Sequence, residues 1–495
     1  MTFTDSCRID VHKEATVRND WSGQVFPHPS GRKPFVGDVL GSDRTGPLQS
    51  TMRRCAGLGP IFELNVFAQK FVFVAGAGLA AELCDETRFH KALSPGLVAL
   101  REFSGDGLFT AYSDEPAWQL AHDLLRPAFT RSAMRRYHPI MLAATVELFD
   151  HWDARQGPVD VSADMTKLTL ETISRAAFSR DFGSFTREDP HPFVPAMIAA
   201  LRAGQRKGVF NAMPGSGLLA RRLNRRNAHH QVYVDTLIDG LIAERRQDKD
   251  LDDRDLLGIM LTTAHPDTGQ RLTDRNIRYQ ILTFLAAGHE TTSGALSFTL
   301  YYLSRNPSVM AAAQAETDEI LGADPDAEPT FEQVPKFRHL RRALDESLRL
   351  WPTAPAFTRS PHAATVIGDR YRMRPQDWAT VLLPLIHRDP AVWGEDAGEF
   401  RPDRFLPDSS RGRAAHSYLP FGTGERACIG RQFALHEAVL VLARLLHRYE
   451  LTADPGYDLV IGERLTLMPR GFEVTLAPRT PAASRPGPTR EPLPR

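Results

Sequence analysis

The sequence predicts a single large domain that is mainly α with a small β subdomain, and three observations support this. Apolar residues recur at spacings of three and four over most of the chain, which is typical of amphipathic helices. Residues 353–387 interrupt that pattern with short, proline-punctuated β-like pieces. Neither a low-complexity linker nor an internal repeat divides the chain. We therefore expect one domain over 26–478, a flexible N-terminal extension over 1–25 and a disordered Pro- and Arg-rich tail over 479–495.

The predicted elements follow in order along the chain. The first is a hairpin over 61–76, a run rich in Phe and Val that ends in Gly-Ala-Gly. Helical periodicity then covers 117–129, 132–151, 162–179, 228–245, 276–305, 307–321, 337–350 and 429–449. Many of these stretches follow Asp, Thr or Pro, which cap or start helices. The β subdomain is predicted from the pieces at 365–368 and 380–384.

Composition excludes several classes of protein. The 495 residues include 60 Lys+Arg and 60 Asp+Glu, so the net charge is zero and no general attraction to nucleic acid is expected. The longest apolar stretch, 71–81, is about half of the ~20 residues that cross a bilayer. The N-terminus lacks the apolar core of a signal peptide, and four cysteines are too few for a disulfide framework. We expect a cytoplasmic protein without a membrane anchor and without a nucleic-acid partner.

The segment 421–430, FGTGERACIG, carries the strongest functional signal. Cys428 lies between glycines and precedes a long amphipathic run. The amides and dipole of a helix start favour a thiolate there, and a thiolate can ligate a metal. The alternative is an inert buried cysteine, which would leave the glycines at 422, 424 and 430 and the charge of Arg426 unexplained.

This segment resembles the haem-binding loop FxxGxRxCxG of the cytochrome P-450 monooxygenases. The resemblance implies the cytochrome P-450 fold and haem b as the cofactor, with Cys428 as the axial ligand of the iron. It also implies that Phe421 packs beside the sulfur and that Arg426 binds a haem propionate. Gly430 would let the backbone pass close to the porphyrin.

Residues 283–300, TFLAAGHETTSGALSFTL, place a glycine and an acid–alcohol pair at the centre of a predicted helix. The resemblance makes this the helix that crosses the distal face of the haem. Ala287 and Gly288 would then leave space for dioxygen. Glu290 and Thr291 would be the catalytic residues that relay protons to it. The alternative is a polar stripe on a surface helix; a zinc-hydrolase reading has little support, because HExxH is absent.

Glu346 and Arg349 are three residues apart and can pair on one helix face. Such a pair is usually an ordinary exposed ion pair. The resemblance implies instead that Glu346, Arg349 and Arg401, the last from the motif EFRPDRF, lock the core behind the cysteine loop and are structural.

Three further residues are candidates to bind haem propionates through the same resemblance. Trp118 and His122, at positions i and i+4, share a helix face and can both donate N–H groups. Lys91 is the third candidate. The alternative is core packing for the tryptophan and a surface position for the histidine.

From 59 to 478 the chain resembles the haem domain of bacterial fatty-acid hydroxylases that are fused to a diflavin reductase. Matching stretches include SGDGLFT, AGHETTSG, LRLWPTAPAF, HRDPAVWG and EFRPDRF. By position, the resemblance implies that Phe109 projects over the haem as part of the substrate pocket. The other residues that it implies for the pocket are Leu97, Ala286, Ala354 and Leu465. Each of these apolar residues has core packing as its alternative.

The sequence departs from those hydroxylases in two places. After Pro478 it contains no flavin or nicotinamide module, so we expect a separate electron donor, namely a ferredoxin, a flavodoxin or a diflavin reductase. The hydroxylases hold the substrate carboxylate with an Arg and a Tyr of the first hairpin, and those positions are Gln69 and Phe73 here. Lys70 is adjacent and is a candidate replacement cation.

The predicted function is insertion of one oxygen atom from O2 into an apolar small-molecule substrate. Hydroxylation of a fatty acid or a fatty-acyl-like molecule is the nearest specific reaction. A tailoring oxidation of a terpenoid, polyketide or aromatic natural product is the alternative. A haem protein that binds ligands or senses gas and a peroxide-driven peroxygenase are competing classes. The acid–alcohol pair argues against the sensor, which needs no proton delivery. A peroxygenase would usually replace this pair, and a Thr291→Ala variant would help to separate that class from a monooxygenase.

Overall fold

The computed structural model describes residues 21–481, except 42, 44, 68, 188, 190, 211–216, 250 and 251. Its α-helices are α1 (Pro47–Arg54), α2 (Ala77–Leu83), α3 (Pro95–Ser104), α4 (Pro116–Leu125), α5 (Arg131–Asp153), α6 (Val161–Phe178), α7 (Phe193–Phe210), α8 (Gly217–Arg246), α9 (Leu256–Thr262), α10 (Asp274–Arg305), α11 (Pro307–Leu321), α12 (Arg338–Leu350), α13 (Leu383–Ile386), α14 (Pro390–Trp393), α15 (Pro407–Ser410) and α16 (Arg431–Arg448). Its strands are β1 (Ile61–Val66), β2 (Gln69–Val74), β3 (Phe89–Ala92), β4 (Val159–Asp160), β5 (Ala356–Pro361), β6 (Thr365–Ile367), β7 (Tyr371–Met373), β8 (Ala379–Leu382), β9 (Tyr449–Ala453), β10 (Ile461–Glu463), β11 (Leu467–Pro469) and β12 (Glu473–Pro478).

The predicted architecture, mainly helical with a small β subdomain, is confirmed. The structure differs from the sequence prediction at 117–129, where α4 ends at Leu125 and a 3-10 turn, Arg126–Phe129, follows. Pro127 explains the early end, because it has no amide hydrogen to continue the α-helical pattern. Among the helices of seven or more described residues, the periodicity did not predict α1, α2, α3, α7 or α9.

The largest sheet has five strands in the order β1-β2-β8-β5-β3. The predicted first hairpin is present, with β1 antiparallel to β2 and Ile61 opposite Val74. Strand β2 runs parallel to β8, and β3 runs antiparallel to β5. A three-stranded sheet, β4-β12-β9, and the hairpins β6-β7 and β10-β11 complete the β structure of the described residues.

Helix α10, of 32 residues, runs through the core. The Thr273 side chain caps its start by accepting a hydrogen bond from the Asn276 amide. Halfway along, α10 packs closely on α6, where the Thr169 hydroxyl donates to the His289 carbonyl at 2.9 Å. None of the helices in the described ranges is both long enough and apolar enough to span a bilayer.

Residues just outside both ends of the predicted domain make tertiary contacts that the sequence did not indicate. Trp21 lies within the predicted flexible extension, yet it is fully buried and stacks edge-on against Phe26. Its amide donates to the Asp377 carboxylate at 3.2 Å. Arg479, the first residue of the predicted tail, forms an ion pair with Asp318. The rest of both predicted segments, 1–20 and 482–495, lies outside the described residues.

Candidate active site

The segment around Cys428 is a tight loop that leads into α16. Gly422 and Gly424 have φ values of 68° and 71°, which L-residues with side chains rarely adopt. The Cys428 amide donates to the Phe421 carbonyl at 2.8 Å, so the chain folds back on itself between these two residues. The glycines are therefore required by the path of the backbone.

Cys428 faces the inside of the protein. Its surface is accessible, whereas burial among protein atoms raises the pKa of its thiol. The two observations agree if the sulfur borders an interior space rather than the outer surface. The Gly430 amide and the charge of Arg431 oppose the effect of burial on this pKa by stabilising the thiolate.

An exposed carboxylate holds the middle of the loop. Both Glu86 oxygens accept from the Glu425 amide, at 3.0 and 3.1 Å. A Cβ atom at Gly424 would overlap this carboxylate, so a larger residue there would have to displace the Glu86 side chain. Phe421 lies at the start of the loop, with the Arg431 guanidinium 5.6 Å from its ring centre.

One face of α10 also borders an interior space. Ala287 is exposed although most of the surrounding helix is buried, and Thr291, one turn later, is half-buried. The Thr291 hydroxyl donates to the Ala287 carbonyl at 2.8 Å, which leaves its oxygen free to accept further hydrogen bonds. Phe109 has 38% of its surface exposed.

The carboxylate of Glu290 points in another direction. It is buried, accepts a hydrogen bond from the Thr466 hydroxyl at 2.9 Å and pairs with Arg464 at 3.3 Å. Both partners lie in the turn that joins β10 to β11. The acid and the alcohol of the pair are therefore neighbours in sequence but are oriented by different surroundings.

Three basic side chains, Lys91, Arg359 and Arg426, lie close together near the loop. The Glu86 carboxylate acts on Arg359, and the Glu115 and Glu425 carboxylates act on Arg426. Lys91 and Arg359 lie directly opposite each other on β3 and β5. Burial lowers the pKa of all three groups, to about 10 for Arg426 and well below the usual value for Lys91. Among the described residues, Nη1 of Arg426 and Nε of Arg359 have no hydrogen-bond partner. A bound anion would stabilise such a cluster, because buried like charges repel.

Trp118 and His122 lie beside this cluster. Their rings stack with centres 4.9 Å apart, and the Arg426 guanidinium lies 4.3 Å from the Trp118 ring centre. Nδ1 of His122 is buried and lies 3.6 Å from the Asp123 carboxylate, beyond hydrogen-bond distance, and it has no hydrogen-bond partner within the described part of the chain. Four of the predicted propionate ligands are thus in one region. Arg359 lies in the same region and was not among the residues that the sequence analysis selected. Arg359 could have been selected only by predicting that its strand, β5, pairs with β3, and the sequence alone does not show that pairing.

Comparison with known proteins identifies the family. A sequence model described as cytochrome P-450 matches residues 27–476. The chain is 42% identical over 466 residues to a bifunctional cytochrome P-450/NADPH–P-450 reductase of Bacillus cereus, covering 93% of this chain and 43% of that protein. The chain belongs to the cytochrome P-450 family.

Other relatives have the same character. A bifunctional cytochrome P-450/NADPH–P-450 reductase of Bacillus subtilis is 43% identical over 454 residues, covering 91% of this chain and 42% of that protein. A self-sufficient cytochrome P-450 monooxygenase of Phanerodontia chrysosporium is 40% identical over 459 residues, covering 90% of this chain and 42% of that protein. The cytochrome P-450 chain thus spans less than half the length of these relatives.

Cytochromes P-450 use haem b, and the residues of this site fit that group. In this family a cysteine thiolate holds the haem iron, and the two negatively charged propionates are favoured by nearby cations. Cys428 presents a sulfur to the interior, and the cluster of Lys91, Arg359 and Arg426 includes buried N–H groups without partners. A Cβ atom at Gly430 would lie 3.9 Å from the Phe129 ring, an ordinary van der Waals contact, so the protein neighbours alone do not require a glycine there.

The buried pair behind the loop has the predicted geometry, with one correction. Glu346 and Arg349 are both fully buried and share two hydrogen bonds, at 2.7 and 2.8 Å. The predicted third member, Arg401, contributes only its amide, which donates to Glu346 at 2.8 Å. Its side chain is 56% exposed and pairs with Asp396. The guanidinium that reaches Glu346, at 3.4 Å, belongs to Arg404, because the 3-10 turn Pro402–Phe405 directs it inward.

Gly288 also differs from its predicted role. A Cβ atom there would lie 2.7 Å from Ile173 of α6, so the glycine permits the close packing of the two helices. Of the two residues predicted to leave space for dioxygen, Ala287 is exposed and Gly288 is half-buried.

The predicted pocket residues have mixed environments. Leu97, Ala286 and Leu465 are half-buried and pack against the main core, whereas Ala354 is exposed. Lys70 does not offer a free cation in the first hairpin. Its ammonium group pairs with the buried Glu63 at 3.0 Å and donates to the Gln24 carbonyl.

Proposed function

We propose that this cytochrome P-450 is a haem-thiolate monooxygenase. With two electrons from a separate donor and two protons, it inserts one oxygen atom from O2 into an apolar organic substrate and releases the other as water. Hydroxylation of a fatty-acyl-like chain is the nearest specific reaction. The observation that carries the proposal is the sulfur of Cys428, which a glycine-rich loop presents to the interior at the start of α16. The haem, when bound, supplies the oxidising chemistry.

The residues of the chain have distinct roles in this proposal. Cys428 holds the iron, and the buried cations Lys91, Arg359 and Arg426 bind the propionates together with Trp118 and His122. Thr291 presents a hydroxyl at the interior face of α10, where it would donate a proton to dioxygen. The role of Glu290 as the source of that proton stays a prediction, because its carboxylate binds Arg464 and Thr466 rather than Thr291. Phe421 packs beside the sulfur.

Thr291→Ala should uncouple the consumption of reductant from product formation. Without the hydroxyl, proton delivery at the interior face of α10 fails, so we expect roughly tenfold less product per reductant consumed. Thr292→Ala is the matched control, since Thr292 is buried on another side of the helix. Reductant and product are measured in the same assay, and full coupling in the Thr291 variant would refute the proton-relay role.

The first hairpin favours an uncharged substrate over a free fatty acid. Gln69 and Phe73 are both neutral, and Phe73 stacks on Phe62 with ring centres 5.5 Å apart. Lys70 is neutralised by Glu63. A carboxylate that entered beside this hairpin would meet no free ammonium group from Lys70. We therefore propose fatty-acyl-like molecules with neutral head groups, such as esters or alcohols, as the preferred ligands.

A titration of haem-loaded protein should show this preference. Saturated fatty acids and the alcohols and methyl esters of equal chain length are compared by the low- to high-spin shift that follows loss of iron-bound water. We expect the neutral ligands to bind roughly tenfold more tightly, since each acid loses hydration without gaining a cation. Tighter binding of the acids would contradict the proposed head-group preference and restore fatty acids as substrates. Binding of neither series would favour a natural-product tailoring reaction.

The electron donor and the surroundings of the protein are also proposals. The two Bacillus relatives carry an NADPH–P-450 reductase in their names. We propose a diflavin reductase, a flavodoxin or a ferredoxin as the donor for this chain. The haem domain is proposed to cover 26–478, which the family match at 27–476 supports. The protein is proposed to act in the cytoplasm.

A further inference from the structure

We propose that His387 is a positioning residue for the Cys428 loop. The residue follows α13, is fully buried, and uses both nitrogens of its ring. Nε2 lies 2.9 Å from the Leu419 amide, and Nδ1 lies 3.2 Å from the Arg349 carbonyl. The inference rests on the proposed role of Cys428 as the iron ligand, and it assigns the element that sets where that ligand stands.

The two hydrogen bonds fix the protonation of the ring. An amide can only donate, so Nε2 must accept from Leu419, and a carbonyl can only accept, so Nδ1 must carry the proton. A protonated imidazolium would lose the acceptor. Burial lowers the pKa of His387 to about 3, so the acceptor is retained at neutral pH.

His387 is itself held in place by the buried pair of α12. The Arg349 guanidinium donates to the His387 carbonyl at 2.7 Å, and the ring returns a hydrogen bond to the Arg349 carbonyl. The imidazole therefore has a fixed position relative to α12. The Tyr418 ring, with its centre 5.5 Å away, covers one side of it.

From His387 a short series of hydrogen bonds leads to the sulfur-bearing residue. Leu419 donates to the ring and accepts from the Gly422 amide at 3.0 Å. Phe421 accepts from the Cys428 amide at 2.8 Å. Fixing the backbone at Leu419 therefore fixes the start of the turn that presents Cys428. A buried amide at Leu419 without its acceptor would also favour rearrangement of this turn.

The test compares three substitutions that separate the two nitrogens. His387→Gln keeps an acceptor near the position of Nε2, His387→Asn keeps a polar group near Nδ1 only, and His387→Phe keeps the ring volume alone. Tyr418→Phe is the matched control, since it removes the hydrogen bond of the Tyr418 hydroxyl to Asp345 without touching Leu419. Each haem-loaded variant is examined by its reduced-CO spectrum, its midpoint potential and the hydrogen exchange of the Leu419 amide.

We expect the asparagine and phenylalanine variants to increase the share of thiol-ligated iron roughly tenfold and to shift the midpoint potential, as loss of one buried hydrogen bond allows. The glutamine variant and the control should keep the wild-type band, even where the control melts earlier. Wild-type band and potential in the folded asparagine and phenylalanine variants would overturn the proposal, as would equal damage in the glutamine variant.

If the asparagine and phenylalanine variants do not fold, the proposal is tested by hydrogen exchange of the Leu419 amide in the wild-type protein. A Leu419 amide that exchanges slowly supports the proposal, and one that exchanges as fast as exposed loop amides overturns it. A wild-type protein that lacks the thiolate band would refute the role of Cys428 instead, so the two failures are distinguishable.

Discussion

Cys428→Ser should abolish monooxygenation and the thiolate type of reduced-CO spectrum. A serine hydroxyl is a poor iron ligand at neutral pH and donates far less electron density than a thiolate, so we expect turnover to fall on the order of a thousandfold or more. The loop itself should persist, because its turns depend on Gly422, Gly424 and the hydrogen bond between Cys428 and Phe421 backbones. The measurement is product formation together with the spectrum.

Cys55→Ala is the matched control for this substitution. Cys55 is buried among Phe62, Leu64 and Leu382, and burial raises the pKa of its thiol to about 11. Its removal should lower stability slightly and leave turnover and spectrum unchanged. Turnover at the wild-type rate in the Cys428 variant would mean that another group holds the iron.

Glu346→Gln should cause the largest loss of stability among these substitutions. The glutamine leaves the fully buried Arg349 guanidinium without its counter-charge, and breaking a buried pair from one side costs about 3–5 kcal/mol. The same change loosens His387, because Arg349 also donates to its carbonyl. Denaturant unfolding, followed by fluorescence, measures the difference in the free energy of unfolding.

Arg401→Ala and Arg404→Ala test the correction made by the structure. Both arginines belong to the motif EFRPDRF, but only Arg404 reaches Glu346 with its guanidinium. We expect a clear loss of stability for Arg404→Ala and little change for Arg401→Ala, whose side chain is largely exposed. The reverse order would contradict the arrangement seen around Glu346.

The sequence could predict the parts of the site that are contiguous. The loop from Phe421 to Gly430 and the centre of α10 are short motifs, and the Glu346–Arg349 pair lies on one helix turn. For these, spacing determines which side chains can meet. The mainly helical architecture followed from apolar periodicity for the same reason.

The sequence could not predict contacts that depend on packing between distant segments. Arg359 joins the cation cluster through the pairing of β3 with β5, and Glu86 reaches the loop from the turn after α2. The sequence also could not predict which way the side chains within a motif point. Nothing in EFRPDRF indicates which arginine turns inward, and nothing in AAGHETT indicates that Gly288 faces Ile173 while Ala287 faces the interior.

The reduced-CO difference spectrum of the purified, haem-loaded wild-type protein tests the central claim most directly. If Cys428 holds the iron as a thiolate, the main band lies at the long wavelength typical of thiolate-ligated haem, and it disappears in Cys428→Ser but not in Cys55→Ala. A protein that binds haem yet shows the shorter-wavelength band of histidine or thiol ligation would contradict the claim.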